Sequence, residues 1–155
     1  MTTHLGLNNI TNRKTADVLE VVLANTFVLY TKTLNFHWNV TGASFMELHT
    51  LFQGQYEALA LSIDEIAERI RTLGFKAPGT LVDFLHLTTL HEDKEDLSAG
   101  EMVQHLVKDH DAIIAHIRNS LTEVDEQDVG SRALLEELLS GYEKTSWMLG
   151  AHLLR

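Results

Sequence analysis

The sequence has no cysteine and a single proline, Pro78, in 155 residues. The lack of cysteine excludes a disulfide framework, a thiolate zinc site and a cysteine nucleophile. No apolar run approaches the roughly 20 residues of a membrane span. The stretch from Met1 to Asn12 is polar and lacks the basic-then-apolar order of a signal peptide. Positive charge is scarce: 12 Lys plus Arg stand against 22 Asp plus Glu, a formal charge of -10. Such a chain disfavours nucleic acid as its default ligand and suits cations. Together these absences predict a soluble, cytoplasmic protein with no membrane segment. The length predicts one domain over residues 1–155, large enough to bury a real core. Histidine is what the chain has in plenty, nine in all, and it is the first pointer to metal chemistry.

One proline and nine glycines leave few places to break a helix. A first helix is predicted from Thr11, as N-cap, to about Trp38. It carries two apolar stripes, Leu19, Leu23, Phe27, Tyr30, Leu34 and Val18, Val21, Val22, Val28. A helix with one buried face needs one stripe, so the second predicts contact with another chain. Asn39-Val40-Thr41-Gly42 breaks the pattern, and Ser44 to Glu47 has capping-box spacing. Helix two follows, with Phe45, Leu48, Phe52, Leu59, Ile63, Ile66, Ile70 and Leu73 at steps of three, four or seven, and Gly74 stops it. A long connection holds a turn and cap at Ala77 to Thr80, then a short helix over Leu81 to Leu85. Ser98 and Glu101 form a second capping box, opening helix three, which runs to about Glu123. Helix four is predicted from about Ser131 to Leu153, after an acidic turn at Asp125 to Gly130. Four long helices with one long middle connection and a short extra helix describe an all-α, ferritin-like four-helix bundle.

His37, His49, Asp64 and Glu68 carry the chemistry. Asp64 and Glu68, four residues apart, share a face of helix two beside Ala60, Leu61 and Ala67. Two carboxylates there are costly to bury without a cation. His37 ends helix one and His49 lies in the second turn of helix two. Imidazole with carboxylate suits iron, manganese or zinc. His49 and Asp64 lie fifteen residues apart on one helix, roughly 22 Å at 1.5 Å per residue. One ion does not bridge that span, so a straight helix two needs a second chain. A two-fold dimer with antiparallel second helices sets the histidines of one chain against the acids of the other, giving two identical sites. On spacing alone, a solvated carboxylate pair and structural histidines are the commoner outcome.

The segment Leu34-Asn35-Phe36-His37-Trp38-Asn39-Val40-Thr41-Gly42, then Phe45, Leu48-His49, Phe52, Tyr56 and Asp64-Glu65-Ile66-Ala67-Glu68-Arg69, resembles the Dps family (DNA-binding proteins from starved cells). Glu143 to Met148 is similar to that family's last helix, and the likeness extends over nearly the whole chain. The resemblance implies a ferritin-like subunit, twelve of which form a hollow shell. It implies a di-iron ferroxidase centre shared across two-fold interfaces, oxidising Fe(II), typically with hydrogen peroxide, and storing the ferric product. Carried over by position, His37 and His49 are ligands from one subunit, and Asp64 and Glu68 are ligands from its mate, Glu68 being the bridge to a second, weaker iron. Trp38 resembles the family's aromatic that intercepts a stray oxidising equivalent, with plain packing as its other reading.

Several features depart from relatives of that kind. The chain has no Glu-x-x-His motif of ordinary ferritins, and Glu101 and His105, four apart, are expected at the surface. Asp125, Glu126 and Asp128 lie where such shells have acidic pores, or form a polar turn; Ser131-Arg132-Ala133 stands where an acid is common. The first thirteen residues offer only Arg13, so tight DNA binding is not expected. His4, His86, His91, His105, His110, His116 and His152 are expected to be exposed or paired on helix surfaces. Two other functions remain open: a non-catalytic shell for surface recognition, and a mini-ferritin that uses dioxygen.

Overall fold

The computed structural model describes residues 5–93 and 96–153. His4, Leu154 and Arg155 lie outside the described residues. Five helices follow one another: α1 (Asn9–Asn39), α2 (Phe45–Thr72), α3 (Leu81–Leu87), α4 (Ala99–Glu123) and α5 (Val129–Leu153). There is no strand among the described residues. Short turns fold α1 against α2 and α4 against α5, while α1 also meets α3 and α4, and α2 meets α5. This is the four-helix bundle with a short helix in its long connection that the helix pattern predicts.

Local chemistry sets most of the boundaries. The cap of α1 is Asn8, not Thr11: Asn8 Oδ1 accepts from the Ile10 amide at 2.9 Å, and Thr11 Oγ1 donates to the Asn8 carbonyl at 2.7 Å. Ser44 precedes α2 but makes no side-chain cap, because its ψ of 18° is far from the extended conformation a capping hydroxyl needs. At the far end of α2 the Phe75 amide reaches the Ile70 carbonyl at 3.2 Å and the Gly74 amide the Arg71 carbonyl at 3.0 Å. That paired closure requires a left-handed residue, and Gly74 supplies it with φ 98°. Full capping boxes open α3 (Thr80 with Asp83) and α4 (Ser98 with Glu101).

One continuous core runs through the bundle, with Leu19, Leu23, Phe52, Ile66, Leu106, Ile113, Leu135 and Leu149 fully buried. Of the second stripe of α1, Val22 and Val28 are buried within this chain, while Val18 and Val21 are half-buried. Phe27, of the first stripe, stacks on Phe84 of α3, centroids 4.3 Å apart. The large apolar side chains left exposed include Trp38, Phe45, Met46 and Leu61 along α1–α2, Leu81, Val82 and Leu85 on α3, Ile10 at the start of α1, and Val129, Trp147 and Met148 on α5.

Polar groups also lie inside. Buried Asn25 accepts from Thr88 Oγ1 and the Thr89 amide, both at 2.8 Å, and so ties the end of α3 to α1. Buried Lys32 pairs with Asp93 at 2.9 Å and Asp109 at 2.5 Å, and His105 pairs with Asp93 at 2.9 Å. Burial pushes the Asp109 carboxyl up, against the pull of Lys32. Burial acts the same way on Asp93, but there the bonds to Lys32 and His105 outweigh it and leave that carboxyl below its ordinary value.

Candidate metal centre

The turn between α1 and α2 brings the two histidines together. The Val40 amide closes α1 on the Phe36 carbonyl at 2.9 Å, and the Phe45 amide reaches the Gly42 carbonyl at 3.1 Å. His37, in the last turn of α1, then lies flat against His49, with ring centroids 3.8 Å apart and planes 17° apart. Each ring bonds to the other's backbone: His37 Nδ1 to the His49 carbonyl at 2.7 Å, and His49 Nδ1 to the His37 carbonyl at 2.8 Å. A carbonyl only accepts, so both Nδ1 atoms carry the hydrogen. In the neutral rings the lone pair is therefore on Nε2, the tautomer that a metal takes when the other nitrogen is held by a carbonyl. Phe45 stacks on the far side of His49 at 5.0 Å, and Tyr56 meets His37 edge-on at 5.2 Å. His37 is buried and His49 half-buried.

Asp64 and Glu68 lie further along α2, both exposed, beside Leu61, which is 70% exposed. Among the described residues neither carboxylate has a hydrogen-bond or ion-pair partner within the chain. The separation between His49 and Asp64 along α2 is fifteen residues, about 22 Å of helix. Among the described residues, no three His, Asp or Glu side chains gather closely enough to hold one ion. One chain thus presents two half-sets of donors, a pair of imidazoles with free Nε2 atoms and a pair of uncompensated carboxylates.

Arg69 follows Glu68 but serves another purpose. Its Nε donates to Ser131 Oγ at 2.9 Å and its Nη2 pairs with buried Asp128 at 2.7 Å, tying α2 to the start of α5. Gly130 lies against that guanidinium, where an added Cβ would stand 2.9 Å from Nη2. Asp128 also accepts from the Ser131 amide at 3.0 Å, capping α5. It is a buried acid that ties α2 to the start of α5, in keeping with the polar-turn alternative for this stretch. Asp125 accepts from the Gln127 amide at 2.8 Å, and Glu126 is exposed.

Trp38 is 67% exposed, and among the described residues its ring stacks on no other aromatic. The aromatics that touch the histidine pair are Phe45 and Tyr56, and Tyr56 in turn meets Tyr30 at 6.2 Å. Tyr56 lies seven residues after His49, on the same helix face, and that spacing is the signal that places it. Among the other histidines, His86, His91 and His152 are exposed as expected, and His105 is half-buried against Asp93. His110 departs from expectation: it is 1% exposed, its Nδ1 donates to the Leu106 carbonyl at 2.7 Å, and burial pushes its pKa down to about 4. His116 is half-buried, its Nε2 has no partner, and burial lowers its pKa.

The ferritin-like domain family matches residues 16–155. The DNA protection during starvation protein 2 of Bacillus anthracis is 34% identical over 92% of this chain and 98% of its own length. The chain belongs to the Dps family of ferritin-like proteins. An uncharacterized low temperature-induced protein of Nostoc is 38% identical over 94% of this chain and 83% of its own. Among solved structures, the Dps protein of Vibrio cholerae O1 superposes with a TM-score of 0.92 at 34% identity, covering 99% of this chain and 98% of that one. That protein is described as a member of a broad superfamily of ferritin-like diiron-carboxylate proteins. A Dps protein takes its name from DNA protection, yet this chain carries a formal charge of -10.

Proposed function

We propose that this protein is a ferroxidase that oxidises Fe(II), preferably with hydrogen peroxide, and stores the ferric product inside a dodecameric shell of identical subunits, each with the single ferritin-like domain of residues 1–155. Iron is the substrate. Membership of the Dps family and the diiron-carboxylate chemistry named for its Vibrio relative support the reading. The observation that carries it is the pair of separated half-sets. His37 and His49, each held through Nδ1, leave Nε2 without a partner where α1 meets α2, and Asp64 and Glu68 stand uncompensated further along α2. Antiparallel pairing of two α2 helices across a two-fold axis assembles two complete sites, each with imidazoles from one subunit and carboxylates from its mate. The exposed apolar side chains along α1–α2 and on α3 are the surface such a pairing buries.

Carboxylate oxygens favour Fe(III), while imidazole also holds Fe(II), so one ligand set binds the reactant and stabilises the product. Two ferrous ions give up one electron each to one peroxide, which takes two protons and leaves as two waters. Glu68 is the proposed bridge between the two ions, and Trp38 the proposed interceptor of a stray one-electron oxidant. Removal of iron and peroxide together is what would protect a cytoplasm against oxidative damage. DNA binding at physiological salt is not part of this function, because a shell of such chains repels phosphate.

A subunit-mixing experiment tests the shared site. H37A/H49A and D64A/E68A chains are each inactive as pure shells. Dissociated, mixed equally and reassembled, they regain about a quarter of the sites, because each mixed pair restores one of its two. A mixture that stays inactive, with the shell intact by size, refutes the shared site. Anaerobic Fe(II) followed by peroxide, compared with dioxygen alone, separates this reading from a dioxygen-using mini-ferritin. Absence of fast oxidation with either oxidant leaves the non-catalytic shell.

A further inference from the structure

Glu68 carries no counter-ion, although donors crowd the end of α2. Arg69, Arg71 and Thr72 all follow it within four residues, and the two arginines are the basic groups of the last turn. Side chains three and four apart on a helix are neighbours, so Arg71 and Thr72 stand on the face of Glu68. A Glu and an Arg at that spacing attract one another across an exposed helix surface. Here each donor is turned elsewhere. Arg69 is held by Asp128 and Ser131. The Thr72 hydroxyl donates to the backbone carbonyl of Glu68 at 2.8 Å, not to its carboxylate. Arg71 points past the end of the helix, where its Nη1 donates to the Phe75 carbonyl at 3.0 Å.

That carbonyl is within reach because α2 closes on a left-handed residue. Gly74 has φ 98°, and an added Cβ there meets nothing within 4 Å. The glycine is therefore required for its backbone conformation and not for space. With it the chain folds back, and the Phe75 amide bonds to the Ile70 carbonyl at 3.2 Å. The Phe75 ring packs on the core and lies under the Arg13 guanidinium, whose carbon is 4.4 Å from the ring centre. Held at both ends, Phe75 offers Arg71 a fixed acceptor.

We propose that the Gly74 closure positions Glu68 for iron: it parks Arg71 on the Phe75 carbonyl and so keeps an internal cation off the ligand carboxylate. The inference rests on the reading of Glu68 as an iron ligand. Arg71 is a positioning residue, acting only through Glu68. Without the closure its guanidinium swings onto Glu68, and ferrous iron must displace it. An exposed pair of this kind is weak, so the closure tunes affinity and does not decide whether the centre forms.

Anaerobic calorimetric titration of the assembled protein with Fe(II), together with crystals of the metal-free protein, tests the inference. Gly74→Ala, strained at this φ, should show the Arg71 guanidinium on Glu68 and bind Fe(II) about threefold more weakly at low salt. The difference should fade at high ionic strength. Arg71→Gln should bind within about twofold of the wild type, and adding Gly74→Ala to it should cost nothing further. That cancellation separates the effect of Arg71 from any general effect of strain, with shell size as the control for assembly. Gly74→Asn, which tolerates the left-handed conformation, should resemble the wild type. Arg71 still on the Phe75 carbonyl in Gly74→Ala, or an equal loss of affinity with and without Arg71, overturns the proposal. Failure of the ferroxidase reading looks different: the wild type takes up no Fe(II) at Glu68 and Glu68→Gln changes nothing, which sinks both, whereas a failed cycle with normal uptake sinks only the role of Arg71.

Discussion

His37 and His49 lock each other's rings: each Nδ1 donates to the other residue's backbone carbonyl, at 2.7 and 2.8 Å, across a 3.8 Å stack. The turn between α1 and α2 therefore does more than reverse the chain, because it selects the tautomer of both imidazoles before any ion arrives. Long-range proton–nitrogen correlation spectra at mildly alkaline pH should show both rings protonated at Nδ1. Detection of the Nε2-protonated form in either ring would remove the argument for preset ligands. Titration with ferrous or zinc ion should perturb the Nε2 resonances first.

Arg69 and Asp128 form the second long-range tie near the candidate centre. Arg69→Ala leaves a buried carboxylate without its cation, and loss of about 3 kcal/mol is expected in urea unfolding at fixed protein concentration. Arg69→Lys should recover only part, since an ammonium does not reach Ser131 Oγ and Asp128 in one plane. Gly130→Ala pushes a methyl to 2.9 Å from the guanidinium and should lower stability in the wild-type background but not in Arg69→Ala. Additive effects of the two substitutions would show that the contact is not shared.

The helices and the separation of the donors were legible in the sequence because both depend on local, periodic quantities. Rise per residue alone parts His49 from Asp64, whatever surrounds them. What the sequence hid depends on which helix packs on which. Nothing in the spacing of Leu19, Leu23 and Phe27 says that α3 folds back over α1, yet Phe27 stacks on Phe84. Asp128 reads as one of several acids in a turn until Arg69, fifty-nine residues away, is found on it. His110 looks like a surface histidine because Asp109 and Asp111 flank it, but its own face points to the core. The Ser44 cap failed for the opposite reason: the residue types fitted, and the backbone dihedrals did not.

Asn25 tests how far the α3 connection depends on one buried amide. Its Oδ1 accepts from the Thr89 amide and Thr88 Oγ1, and its Nδ2 donates to Thr89 Oγ1 at 3.1 Å. Asn25→Ala removes all of these partners at once from a fully buried position, and about 2 kcal/mol of destabilisation is expected. Hydrogen exchange should rise first at residues 88–90, before the long helices respond. Uniform acceleration across the chain would place the role of Asn25 in global packing instead.

Acid should weaken the bundle through His110. Burial holds the ring neutral in the folded chain, with its pKa pushed down to about 4 from an ordinary value of 6.5. Between those values the unfolded chain binds a proton that the folded chain refuses, so stability rises with pH across that window and falls as pH drops through it. The full difference corresponds to about 3 kcal/mol, reached near pH 4 and absent above about pH 7. His110→Gln keeps a polar side chain without a titrating group, and its unfolding free energy should lose most of this slope between pH 6.5 and 4.5. The comparison must be made at one protein concentration, because dissociation of an assembly also depends on pH. An unchanged slope in His110→Gln would assign the acid response to other groups, with the half-buried His116 and its lowered pKa the next to substitute.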